Sequence, residues 1–320
     1  MKTKKTSTFK YSMSLAASWA WGTSLIVGME LIQTKGIIPF VIWSVANSLS
    51  IPLFGFLAFR IPNFERIINS KPVLIFSTFI SVFCLWIQMN AIYQQTSQLG
   101  VLETKSLKCI IIVVMICFCA ILYDNGVIKS VLIDSPMWAG CYIVLLFIVI
   151  YGVFSETGHY NIVCIADNQD IKWALNSCLI LFSGPIMCIQ NWQVARILND
   201  ENKMHAHYIA GGLFAVYITF VGFLGFYKFD GIMKIAMSVV VIIVALSTAD
   251  AAIVGLQEIL GRKIGLLIEG VAIMAWPMVI SVGVMNLWTI MGNARKYVTA
   301  LCVIIAYILY FKQRGKKNAK

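Results

Sequence analysis

The run GIMKIAMSVVVIIVALSTADAAIVGLQEIL, Gly231 to Leu260, constrains this chain more than any other stretch. At about 1.5 Å rise per residue, its roughly twenty central apolar residues span the ~30 Å hydrocarbon core of a bilayer as one helix. Ser247, Thr248 and Asp250 stand inside that run. An aspartate at such depth costs about 2.5–3.5 kcal/mol on insertion scales, so it faces protein, water or an ion. At about 100° per residue, Ser247 lies between Asp250, about 60° to one side, and Thr248, about 100° to the other. Three oxygen-bearing side chains therefore share one broad face, which suits a hard cation. Back-bonding of Ser and Thr to carbonyls one turn earlier also accounts for Ser247 and Thr248, but it leaves Asp250 without a reason.

The rest of the chain agrees with a membrane setting. It is 60% hydrophobic and 12% charged, against about 25% charged residues in a soluble domain. Several apolar runs long enough to span a bilayer make it a polytopic, all-α membrane protein. The net charge of +11 does not call for nucleic acid, because Lys and Arg gather at helix ends and termini, where they report topology. No cleavable signal peptide is expected, since the apolar segment after Lys10 is of spanning length. The nine cysteines sit mostly in apolar runs and read as packed small residues. No P-loop, GxGxxG, HExxH or GxSxG is present.

Ten spanning segments are expected, at 11–32, 37–59, 73–95, 107–123, 136–154, 172–195, 207–228, 231–257, 264–290 and 296–312. With a cytoplasmic N-terminus, most basic residues fall on the inside, including Lys2, Arg60, Arg196, Arg262 and the C-terminal cluster. Both termini are then cytoplasmic, in a plasma or inner membrane. The polar loop Ser155–Ile171 divides the chain into 11–154 and 172–312, two five-helix halves of a single unit, 1–320. A five-helix half ends on the side opposite its start, so a second copy runs inverted. Inverted repeats with breaks at matching positions point to a transporter whose site lies at the midplane. The first helix of each half carries such a break: Trp19, Trp21, Gly22, Thr23 and Ser24 in SLAASWAWGTSLIVG, and Gly184-Pro185 in LILFSGPIMCIQNWQ.

Other polar residues leave two readings open. Gln88 and Asn90 line a cavity or bond between helices, while Gln94 and Gln95 are solvated near the outer end. Asp134 starts a helix with Pro136 just inside it, or turns inward as a cation ligand. Glu269 pairs by default with Lys263 or Arg262. His205 and His207 have ligand spacing but sit in a charged loop with no third ligand, which argues against a metal there.

Four stretches resemble the sodium:solute symporter family, in the expected order: SLAASWAWGTSLIVGMELIQTKG, LYDNGVIKSVLID, GPIMCIQNWQVARI and LSTADAAIVGLQEIL. The resemblance implies the leucine-transporter fold, reduced here to a ten-helix core with helices 1 and 6 broken. It further implies sodium held by the carbonyls of Ala17, Ala20 and Val244 and the hydroxyls of Ser247 and Thr248. A second cation site would use Asp134 and Asp250 with Ser247. Substrate would contact Trp19, Trp21, Gly22, Thr23, Ser24, Gln88, Gly184 and Gln190. Trp19-Ala20-Trp21 is similar to the branch that handles urea and related small polar solutes. The sequence departs from the family at Asn125, Ile133 and Ala251, and these departures fall on the second site.

The expected function is sodium-coupled symport of a small polar solute by alternating access, with the lipid bilayer as solvent and no cofactor beyond Na+. The alternatives are a non-transporting binding or regulatory protein derived from a symporter and, further off, an intramembrane enzyme using Asp250 and Glu269. The chain is expected not to be an enzyme.

Overall fold

A computed structural model of the chain describes residues 8–61, 63–99, 104–122, 127–155, 158–159, 167–197 and 202–318. Outside the described residues lie the Asp124-Asn125-Gly126 turn, Lys2 to Lys5, most of the loop 155–171 and the side chains of Lys129, Ile133 and residues 313–320.

The described residues are almost entirely helical. Six helices are long and apolar enough to cross a membrane, and one bent pair would make a seventh span. The bent pair is α1 (Thr8–Trp19) with α2 (Gly22–Thr34), which meet at 62°. α3 (Ile37–Arg60) and the short α4 (Phe64–Ile68) follow, then α5 (Lys71–Gln98), α6 (Lys105–Leu122) and α7 (Val127–Phe154). The second half opens with α8 (Asn168–Met187) and α9 (Ile189–Ile197). It continues with α10 (Lys203–Gly225), α11 (Gly231–Leu260) and α12 (Arg262–Ala275), and ends with α13 (Val284–Asn318).

Two borders differ from the expected segments. Asp134 and Pro136 lie inside α7, which begins at Val127, so Asp134 is no helix-starting carboxylate. The expected helices 264–290 and 296–312 are divided elsewhere. α12 stops at Ala275, two 3-10 turns cover Trp276–Met278 and Ile280–Val282, and α13 then runs unbroken from Val284. Pro277 ends the α-helical ladder rather than kinking it, because it lacks the N–H that the next bond needs. Gly283, at φ +77°, makes the turn into α13 that a β-carbon would strain. The expected loop 291–295 is therefore helix, with Met291, Gly292 and Arg295 buried.

Packing concentrates on α3, α5, α10 and α11. α3 packs on α8 and α10, and α1 on α10 and α7. α13 packs on α8 and α5, while α11 packs on α5, α7 and α12 and α5 on α6. Small residues admit the closest approaches, as expected where lipid supplies no hydrophobic drive between helices. A β-carbon on Gly211 would lie 2.6 Å from Pro52, one on Gly55 2.8 Å from His207, and one on Gly222 2.8 Å from Phe40, so α3 and α10 interlock. His207 is accordingly a packed residue of α10 whose Nδ1 meets the Lys203 carbonyl, not part of a loop. At the seam between the halves, Asp167 caps α8 by accepting from the Asp170 N–H, and Lys35 at the end of α2 pairs with Asp170.

Candidate functional site: two helix breaks around a tryptophan-lined cavity

The first break occupies Ala20 and Trp21. Every helix end leaves backbone groups without intrahelical partners, and here other helices supply several of them. The Gly22 N–H donates to Gln88 Oε1 of α5 at 3.1 Å. Thr248 Oγ1 of α11 lies 3.4 Å from the Ala20 carbonyl and 3.1 Å from that of Val244. The Trp21 carbonyl accepts from the Ser24 N–H at 2.7 Å and from its hydroxyl at 2.6 Å. Gly22 has no room for a β-carbon, which would meet Ala245 at 2.6 Å, so α2 lies directly on α11.

The second break falls at Cys188, three residues beyond Pro185. Gly184 and Pro185 form the last turn of α8 rather than the interruption itself. A proline φ of about −65° fits a helix, and the missing donor is felt further along. The carbonyls left over are taken by side chains of the same segment. Asn191 Nδ2 donates to the Pro185 carbonyl at 3.4 Å and Trp192 Nε1 to the Ile186 carbonyl at 2.7 Å. Asn191 Oδ1 also accepts from Ser18 Oγ at 3.1 Å, which ties the two breaks together.

The expected sodium ligands are gathered in part. Thr248, Ala20 and Val244 meet, and Ala17 is fully buried beside them in α1, its carbonyl accepting from the Ala20 N–H. Ser247 turns away and donates to Asp134 Oδ1 at 3.1 Å. Ser14, which the sequence reading passed over, donates to Asp134 Oδ2 at 3.1 Å. Asp134 thus joins α1, α7 and α11. Asp250 stands near Asp134, is 1% exposed, and has no hydrogen-bond partner on either oxygen. Asp134 with the Ser14 and Ser247 hydroxyls, and Asp250 near them, make a buried oxygen-rich cluster. Among the described residues no group of three His, Cys, Asp or Glu could hold a metal ion.

Beside the first break lies a small, partly enclosed pocket. Trp19, Trp21, Thr23 and Ser24 line it as expected, joined by Val27, Trp43, Asn47, Leu181, Trp288 and Arg295. Gly22, Gln88, Gly184 and Gln190 do not. Gln88 caps α2, Gln190 sits against Gly255 of α11, and Gly184 backs onto Trp19, whose ring lies 2.0 Å from where a β-carbon would be. Ser24 Oγ pairs with the Tyr217 hydroxyl at 3.1 Å, fixing α2 to α10. Arg295 escaped the sequence reading because it falls between two expected helices, in a basic pair that looks like a loop. The unbroken α13 carries it into the interior instead.

Three further polar residues are placed by their partners, Asn90 in one of its two expected ways. Asn90 bonds between helices, giving Nδ2 to the Val279 carbonyl and accepting from Trp276 Nε1. Gln95 is buried, with Oε1 accepting from Ser238. Glu269, buried in α12, accepts from Gln257 Nε2 at 3.1 Å. Gln257 stands two turns along α11 from Asp250, about 10 Å away, so the two acids proposed for an enzyme have separate settings.

No protein-family model and no curated protein matches the chain. Among solved structures, the crystal structure of the Eremococcus coleocola manganese transporter, in complex with an aromatic bis-isothiourea substituted compound, is similar at a TM-score of 0.40. The two share 13% identity over 98% of this chain and 72% of that one.

Proposed function

We propose that this chain is a sodium-coupled secondary transporter that carries a small polar solute across the bilayer by alternating access. The observation that carries this reading is the first break. A buried helix is interrupted at mid-length, a hydroxyl from α11 faces the freed carbonyl, and a small, partly enclosed pocket adjoins it. Unwound backbone carbonyls with hydroxyls suit a small hard cation.

Helix packing supports the two-repeat reading, 11–154 and 172–312. Exchange α1–α2 with α8–α9, α3 with α10, α5 with α11, α6 with α12 and α7 with α13. The α3–α8 contact then becomes α10–α1, α1–α7 becomes α8–α13, α7–α11 becomes α13–α5, and α5–α6 becomes α11–α12. The α3–α10 and α5–α11 contacts map onto themselves. In this reading both termini are cytoplasmic.

Mechanistically, sodium in the first break favours whichever state presents those oxygens together, since a ligand shifts a balance only by differential affinity. The membrane potential contributes about 2.3 kcal/mol per charge per 100 mV. Loss of sodium to the cytoplasm would loosen α1 from α11 and release the solute inward. Solute uptake into proteoliposomes with and without an inward sodium gradient tests the proposal. Gradient-dependent accumulation above the external concentration is the expected result. Binding without accumulation would mean a non-transporting receptor.

A further inference from the structure

Arg295 is the buried charge that the proposed mechanism leaves unused. It is 1% exposed, in the middle of a helix long and apolar enough to span. An arginine at that depth is expensive, and such residues normally pair with an acid or mark a substrate path. Arg295 makes neither of the ion pairs among the described residues. Nε and Nη2 donate to the Ile180 carbonyl at 3.3 and 3.1 Å, and the guanidinium lies 6.0 and 5.6 Å from the ring centres of Trp19 and Trp21. Nη1 has no hydrogen-bond partner.

Two more orphaned donors share its cavity. Trp21 Nε1 and Trp43 Nε1 are buried without acceptors, and both residues line the same space as Arg295. A buried donor left unmade is costly, and these three are all donors, one of them cationic. The group that answers them is an acceptor-only anion. A carboxylate offers two oxygens and about four lone-pair sites, and it matches the flat guanidinium fork. The other walls are mostly apolar, indole rings with Val27 and Leu181, interrupted by Thr23, Ser24 and Asn47, and they favour a small, largely apolar body behind the charge. One guanidinium balances one charge, so a doubly charged phosphate would remain uncompensated.

We infer that the cavity binds a small organic monocarboxylate, with Arg295 as its counter-charge and the Trp21 and Trp43 N–H groups as orienting donors. This rests on reading the cavity as the solute site. It replaces a neutral, urea-like solute with an anion.

Thermal-shift titration of the purified protein tests it, using matched probes: propionate with propionamide, benzoate with benzamide, plus urea and chloride. Each is run in sodium and in choline salts. The carboxylates raise the melting temperature while the amides, urea and chloride do not. Arg295→Gln raises the half-maximal carboxylate concentration about a hundredfold or more, and Arg295→Lys recovers part of the loss. Trp43→Phe, which removes one N–H and keeps the ring, weakens binding several-fold and serves if the Arg295 variants misfold. The inference is overturned by amides or urea matching the carboxylates, by no response to any carboxylate, or by unchanged carboxylate binding in folded Arg295→Gln. A carboxylate response independent of sodium keeps the anion site and removes the sodium coupling. A sodium response with no carboxylate response does the reverse.

Discussion

The two helix breaks solve one problem in opposite ways. At Cys188, side chains three and four residues further on, Asn191 and Trp192, take up carbonyls that the ladder lost, so the break is closed by its own segment. At Ala20 and Trp21 the stray groups are met by Gln88 and Thr248, from two other helices. A self-closed break is a fixed joint. A break closed by neighbours depends on where those neighbours stand, and it can exchange one partner for an ion. In the transport mechanism proposed above, this difference makes the first break the working one and the second its support.

Gly184 is where the second break touches the first, and its loss has the largest expected effect. Gly184→Ala drives a methyl group into the Trp19 ring, which would lie only 2.0 Å from it and which lines the cavity. Overpacking of this kind costs about 1–3 kcal/mol. The melting temperature falls and solute binding is lost with it, whereas at Gly212, where a β-carbon meets nothing within 4 Å, alanine is tolerated.

Removing the caps sharpens the contrast. Gln88→Leu strands the Gly22 N–H and Asn191→Leu strands the Pro185 carbonyl, each at about 1–3 kcal/mol for an unmade buried bond. Stability drops similarly in both, by thermal melting. Sodium and solute affinity change only in Gln88→Leu. Equal functional effects would mean that the two breaks are equivalent.

Asp250→Asn is expected to do less. It exchanges an unpartnered carboxyl group for an amide of the same shape, whose N–H has Asp134 nearby, so the melting temperature holds or rises. If this cluster takes a second cation, the sodium response loses one component and keeps the one at Thr248. Isothermal titration with sodium reads the number of sites.

The parts of this design that were legible in the sequence are those set by periodicity and local chemistry. Long apolar runs gave the helices, and the polar Ser247, Thr248 and Asp250 gave the inward face of α11. The tryptophan-glycine stretch after Ala20 gave the first break. The hidden parts depend on what lies opposite. Pro185 announces a distortion but does not say that neighbouring carbonyls are re-bonded until Cys188. Arg295-Lys296 reads as a basic turn because no local signal separates a buried arginine from a solvated one. Only the continuation of α13 through Gly292, packed onto Ile180, carries Arg295 inward. Ser14 carries no pattern of its own and gains meaning from Asp134, 120 residues away.

Thr248→Ala has the smallest expected effect on stability and decides the most. Its hydroxyl hydrogen bonds are worth about 0.5–1.5 kcal/mol, much like that of Ser81, which bonds only to the Ser77 carbonyl of its own helix. The decisive measurement is a sodium titration of wild type, Thr248→Ala and Ser81→Ala, read as the ligand-induced shift in melting temperature. If sodium sits in the first break, wild type and Ser81→Ala respond alike, and Thr248→Ala needs at least about tenfold more sodium, the cost of roughly 1.4 kcal/mol. Three superimposable curves would show that Thr248 only back-bonds Val244 and that the first break holds no sodium.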